Sequence, residues 1–143
     1  MKRISIFFLI VIIIVVGISY LYLNYKTIFN NAQKENKQFE SYYGQEIYGS
    51  DIATIINKAV DNNEKNEVEK DKKGKYINND KNSINIDIKI IDNDTIYNME
   101  KLYTGGMDKF VQFYNQIKFK CTKIEYHKET KKVKYMLFEQ ITQ

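Results

Sequence analysis

From Ile4 to Leu23 the chain reads ISIFFLIVIIIVVGISYLYL, 20 residues without a charge. At ~1.5 Å per helical residue such a run matches a hydrocarbon core about 30 Å thick. No element of an ordinary water-soluble fold of this size needs a segment so uniformly apolar, and a spanning helix does. Lys2 and Arg3 stand before the run, and only Lys26 follows it closely. Tyr20, Tyr22 and Tyr25 gather at its far end as an interfacial belt. Positive charge is retained on the cytoplasmic side, so the expected topology is N-terminus inside and the rest of the chain outside a cell membrane.

The competing reading is a cleaved signal peptide, because Gly17-Ile18-Ser19 offers small residues at the spacing a signal peptidase uses. Tyr20-Leu21-Tyr22-Leu23 carries the apolar run past that point, which favours an anchor. No cysteine lies near residue 20, so a lipid-modified N-terminus is not expected.

The remaining length suits one domain of about 100 residues. The expected division is a cytoplasmic stub and anchor over 1–25, an amphipathic helix over 26–43 and an exported α+β domain over 44–143, with a flexible charged loop at 64–82. Beyond residue 25 there are 20 Lys against 18 Asp plus Glu, too balanced to gather polyanions across the whole domain, which argues against nucleic-acid binding. Cys121 is the one cysteine of the sequence, so no disulfide within the chain can form and stability must come from a packed core.

Between Ile18 and Tyr43 there is no Gly or Pro, and Tyr22, Tyr25, Phe29, Ala32, Asn36, Phe39 and Tyr43 recur every three or four positions. This stripe predicts one long helix that leaves the membrane as an amphipathic rod, packs on the domain core and ends before Gly44. A second helix is expected to open at Gly49-Ser50-Asp51, with Ser50 as N-cap and Asp51 at the positive end of the dipole. It places Ile52, Ile55, Ile56, Ala59 and Val60 on one face and ends at Asp61-Asn62-Asn63. Residues 64–82 are charged, without apolar period, and read as a solvated loop.

Ile84, Ile86, Ile88 and Ile90 alternate with Asn85, Asp87 and Lys89, the pattern of a strand with one isoleucine face. Asp92-Asn93-Asp94 reads as a turn and Thr95 to Lys101 as the returning strand. After Gly105-Gly106, the spacing of Met107, Phe110, Val111 and Tyr114 predicts a short helix. A second hairpin follows, Ile117 to Tyr126 and Val133 to Gln140. Thr122-Lys123 breaks the alternation of its first strand and predicts a β-bulge. The second strand is apolar on both faces and is expected to be an inner, doubly covered strand. The order helix, helix, two strands, helix, two strands gives an α+β fold with about four mainly antiparallel strands.

Candidate sites are few. His127 reads as a turn residue and Cys121 as a core cysteine. Asp92 and Asp94 resemble the start of a calcium loop, but its glycine and distal glutamate are missing. From Lys118 to Lys134 there are seven lysines against Glu125 and Glu129. Lys118, Lys120, Lys131 and Lys132 are therefore candidate contacts for an anionic cell-wall polymer or lipid headgroups, against the plainer reading that they keep an edge soluble. Nothing in the pattern points to an enzyme, a cofactor, a metal or a small-molecule substrate.

A basic N-terminus, an apolar helix running without a break into an amphipathic one, and a small domain with an antiparallel sheet resemble the type IV pilins and pseudopilins, specifically over residues 1–43. The chain differs from that family at Lys2-Arg3-Ile4, where no glycine precedes the apolar run. It differs again at Phe8, fifth from Ile4, where the family has glutamate. Residues 42–64 and 117–133 are also similar to uncharacterised small membrane proteins of low-GC Gram-positive bacteria. The expected function is that of a non-enzymatic, membrane-anchored envelope protein, pilin-like or secretion-associated, with the bilayer and proteins met through the N-terminal helix as partners. The alternative is a surface-tethered module that binds an anionic polymer or headgroups through the basic hairpin.

Overall fold

The computed structural model describes residues 2–91 and 95–142; the expected turn Asp92-Asn93-Asp94 lies outside them. The fold is α+β: a long N-terminal apolar helix, then a five-stranded, mostly antiparallel mixed sheet with short helices.

Helix α1 is continuous over Lys2–Glu40. Its apolar residues from Ile4 to Tyr25 all lie exposed, touching no other part of the chain. The expected packing stripe is therefore corrected. Ala32, Asn36 and Phe39 are buried, whereas Tyr22, Tyr25 and Tyr43 are exposed. The domain grips only the last turns of the rod, because everything before Phe29 projects beyond the domain. After Glu40 the helix unwinds through Tyr42 N–H to Phe39 O and Tyr43 N–H to Glu40 O, both 3.0 Å. Gly44 takes φ +74°, where a side chain would be strained, and its N–H reaches Cys121 O at 3.1 Å. That contact steers the chain onto the sheet edge as β1, Glu46–Tyr48, a fifth strand the sequence reading omitted.

Helix α2, Gly49–Lys65, buries Ile52, Ile55, Ile56, Ala59 and Val60, the face foreseen from spacing. Its cap differs: Tyr48 is the N-cap, and the Asp51 carboxylate accepts the Tyr48 N–H at 3.1 Å, so Ser50 lies inside the first turn. The helix also runs past Asn63, because that asparagine turns inward. Asn63 is fully buried; its Nδ2 donates to Ile84 O and its Oδ1 accepts from Ile84 N–H, both at 2.8 Å. Close backbone contact fixes the other end of α2. A Cβ on Gly49 would lie 2.1 Å from Tyr114 O.

The segment 64–82, expected to be a solvated loop, needs correction at two of its three apolar residues, Ile77 being exposed. Val68 and Tyr76 are buried in the core, and Lys70 and Tyr76 form a β-bridge. Further on, Asn79 Oδ1 accepts the N–H groups of Lys81, Asn82 and Ser83, which folds the polar stretch on itself.

Strand β2, Asn85–Ile90, places Ile86, Ile88 and Ile90 in the core. Each fully buried isoleucine contributes about 2 kcal/mol of transfer free energy. Strand β3 is shorter than expected, Thr95–Asn98, because Asn98 caps a helix: its Oδ1 accepts from Lys101 N–H at 2.9 Å and starts α3, Met99–Tyr103. Helix α4 is Met107–Tyr114. Strands β4, Lys118–Tyr126, and β5, Val133–Gln140, form the second hairpin. Cys121 faces Phe138 and Lys123 faces Leu137, leaving Thr122 as the extra residue of the expected bulge.

The sheet order is β1-β4-β5-β2-β3, with β5 central and parallel to β2. Strand β5 is inner, as foreseen, but covered on one face only. Met136 and Phe138 enter the core under α2, whereas Tyr135 and Leu137 on the other face are half-buried. Long polar side chains screen them: Lys89 pairs with Glu139, Lys123 with Glu125, and Tyr135 donates to Asp87 at 3.1 Å.

Candidate functional site

Helix α1 is joined to the domain at a small, specific junction. Ala32, Asn36 and Phe39 follow one another along a single face of the helix and meet the start of β5 and the core. Phe39 supplies the apolar part. Asn36 supplies the polar part: its Nδ2 donates to Lys131 O and its Oδ1 accepts from Val133 N–H, both at 2.8 Å. Beside it, Glu35 and Lys132 pair at 2.8 Å, with the lysine side chain largely shielded. A cavity of about 230 Å³ lies next to this junction, lined by Phe29, Ala32, Gln33, Asn36, Glu40, Tyr126 and Lys131. Burial, with the Glu40 carboxylate nearby, pushes the Tyr126 phenol up to about 12. Asn36 was legible only as a polar break in an otherwise apolar stripe; its partners stand 95 and 97 residues further along the chain.

The turn between β4 and β5 is anchored in the same region. His127 is buried and its Nε2 lies 2.7 Å from Ser83 O. A carbonyl only accepts, so the proton of the neutral ring sits on Nε2. Burial pushes the His127 pKa below the usual imidazole value. Thr130 Oγ1 donates to Lys81 O, and His127 N–H to Lys132 O at 2.9 Å. The residue is in a turn, as expected, and it ties that turn to the 79–83 loop.

The four candidate lysines do not form one surface. Lys118 and Lys120 sit on the strand pair β1/β4, on the sheet face away from α2, and Lys118 is paired with Glu46 at 3.1 Å. Lys131 and Lys132 lie at the other end of the hairpin against α1, and Lys132 is paired with Glu35. Cys121 is buried in β4, and burial pushes its thiol up to about 11, the opposite of what a nucleophile requires.

An apolar concavity of about 450 Å³ lies between β3, α3 and α4. Tyr97, Leu102, Phe110, Phe113 and Tyr114 line it, and Phe113 is 70% exposed. Lys101 and Lys109 stand among its lining residues, with Lys101 Nζ 5.3 Å from the centre of the Tyr97 ring. Such a groove can accept an apolar group beneath ammonium groups. Among the described residues, no cluster of three His, Cys, Asp or Glu side chains is placed to hold a metal ion.

Comparison of the chain with known protein families, with curated proteins and with solved structures finds no match.

Proposed function

We propose that this chain is a non-enzymatic, membrane-anchored envelope protein, in which the apolar part of α1 spans the cell membrane and holds the α+β domain outside at a fixed height. One observation carries the reading. Helix α1 is unbroken, its apolar residues from Ile4 to Tyr25 lie against nothing in the protein, and its last turns are locked into the domain by Asn36 and Phe39. An exposed apolar surface of that length is unfavourable in water and favourable in a bilayer. Rigid continuity distinguishes it from a secretion signal, which has no need to share a helix with the mature domain. The orientation rests on Lys2 and Arg3 ahead of the span, against Lys26 behind it.

The pilin resemblance contributes the outline of helix and domain but not an assembly mechanism, since the glycine and glutamate used by that family have no counterparts in Lys2-Arg3-Ile4 and Phe8. A wall-polymer site built from Lys118, Lys120, Lys131 and Lys132 together is disfavoured by their division between two places.

The test is the intact mass of the chain recovered from alkali-washed membranes, with protease added to intact spheroplasts. Retention of the N-terminus, with digestion of the domain from outside, is the expected result. A mass lacking about 19 residues, the length of a cleaved signal, would refute the anchor. A domain protected until the membrane is opened would refute the orientation.

A further inference from the structure

We infer that the end of the domain formed by the 127–132 turn, the 79–83 loop and the C-terminus of α2 docks on anionic lipid headgroups of the same bilayer that holds α1. The inference rests on the anchor reading and adds a second contact to it. Three observations place that end towards the membrane. Lys131 lines a cavity with Phe29 and Ala32; Lys65 lines another with Asn31 and Lys34; and Thr130 is bonded to Lys81. The first two meet α1 on the stretch between Phe29 and its end at Glu40, and the third ties the 79–83 loop to the turn.

Height follows from helix geometry. Phe29 and Ala32 are six and nine residues past Leu23, and Asn36, which bonds Lys131 O, is thirteen past it, so this end meets α1 about 9 to 20 Å beyond the hydrocarbon edge at ~1.5 Å per residue. The headgroup zone occupies roughly the first 5 to 7 Å of that. The remaining gap runs from a few Å at the level of Phe29 to about 13 to 15 Å at that of Asn36, a range that brackets the ~8 Å Debye length at physiological ionic strength, and a modest helix tilt shortens it on one flank.

Charge is arranged to use this proximity. Lys34, Lys65, Lys81, Lys128 and Lys131 are exposed here, against the exposed Glu67, Asp80 and Glu129, while Lys132 and Glu35 neutralise each other and Glu64 is taken up by Lys70. The turn itself is held firmly by His127 on Ser83, so the lysines ride on a fixed platform. Each lysine near an anionic surface raises the docked-to-undocked ratio by up to about fivefold, and a surplus of two therefore raises it by up to about 25-fold. The tether makes the encounter intramolecular, so even weak contacts are populated.

The test uses the full chain in nanodiscs, with a fluorescence donor on Glu129→Cys and an acceptor on the lipid headgroups. Cys121 is buried and does not compete for the label. Energy transfer should be higher in discs containing about a quarter phosphatidylglycerol than in phosphatidylcholine alone, and the difference should vanish near 0.5 M salt, where the Debye length is only a few Å. The triple variant K81Q/K128Q/K131Q, made at exposed positions, should abolish the lipid dependence while keeping the native circular dichroism. Equal transfer in both lipids at low salt overturns the inference. So does lysine-dependent binding of soluble polyphosphate without any lipid dependence, which would make the surface a polymer site. Failure of the chain to co-elute with discs would instead refute the anchor reading, so the two failures are distinct.

Discussion

Removing the Asn36 amide tests whether the anchor and the domain move as one body. In Asn36→Ala, Val133 N–H loses its acceptor in a site only 3% exposed, whereas Lys131 O belongs to an exposed residue and regains water. An orphaned buried donor costs about 1 to 3 kcal/mol and the lost bond to an exposed carbonyl about 0.5 to 1. The junction should therefore weaken by about 1.5 to 4 kcal/mol, equivalent to roughly a 10- to 900-fold increase in local opening. Hydrogen exchange at the Val133 amide in detergent or nanodiscs reads this directly, while amides of β2 should be almost unaffected. Asn36→Asp keeps an acceptor for Val133 N–H but sets a carboxylate oxygen against Lys131 O, so it should fall between wild type and alanine. If exchange at Val133 changes by less than about twofold in Asn36→Ala, the junction is held by Phe39 and Ala32 packing alone, and the polar clamp argument is refuted.

Asn63→Ala orphans both backbone groups of the fully buried Ile84 and should lower global stability by about 3 kcal/mol, read as a shift in the urea midpoint with unchanged slope. Gly49→Ala drives a Cβ into the Tyr114 carbonyl and should cost about 2 kcal/mol or more, whereas Gly105→Ala, which meets nothing within 4 Å, should be far milder. His127 has a folded pKa below its unfolded value near 6.5, so protonation favours the unfolded chain. Stability should hold above pH 7 and fall as pH drops through 6.5 towards the folded pKa, by up to about 1.4 kcal/mol per pH unit. Gln at 127, which retains a donor for Ser83 O, should flatten that slope; an unchanged slope would assign it to other groups.

Much of the architecture was legible because its signals are local. Alternation at Ile86, Ile88 and Ile90 fixes a strand whatever surrounds it, and Thr122-Lys123 marks the bulge by interrupting that period. Strand β1 escaped because Glu46-Ile47-Tyr48 is too short to show a period and is a strand only where the β4 edge receives it. Asn98 was read as a strand residue because cap chemistry is visible only once Lys101 N–H is seen to need an acceptor. Val68 and the Tyr76-Ile77 pair are the few apolar residues of a charged stretch, where averaging over a window erases them. The lysines around Lys131 were noticed as a charge excess, but sequence proximity grouped them with Lys118 and Lys120 at the far end of the strand. Their spatial neighbours, Lys81 and Lys65, belong to segments remote in the chain.

An uninterrupted helix and a flexible linker would give a tethered domain different behaviour. A linker of the same length would let every face of the domain meet the bilayer in turn, and an average of weak contacts would result. Helix α1 has no glycine or proline between Gly17 and Gly44, and Asn36 ties its last turns to the β5 strand that runs through the centre of the sheet. Orientation is thus set by backbone geometry, and side-chain charge needs only to act on the one end presented. Under the proposed docking, the basic end needs firmly bonded turns, and it has them in His127 on Ser83 and Thr130 on Lys81; at the opposite end Lys118 is matched by Glu46. The groove beside α3 and α4 lies along the far flank of the sheet, next to edge strand β3.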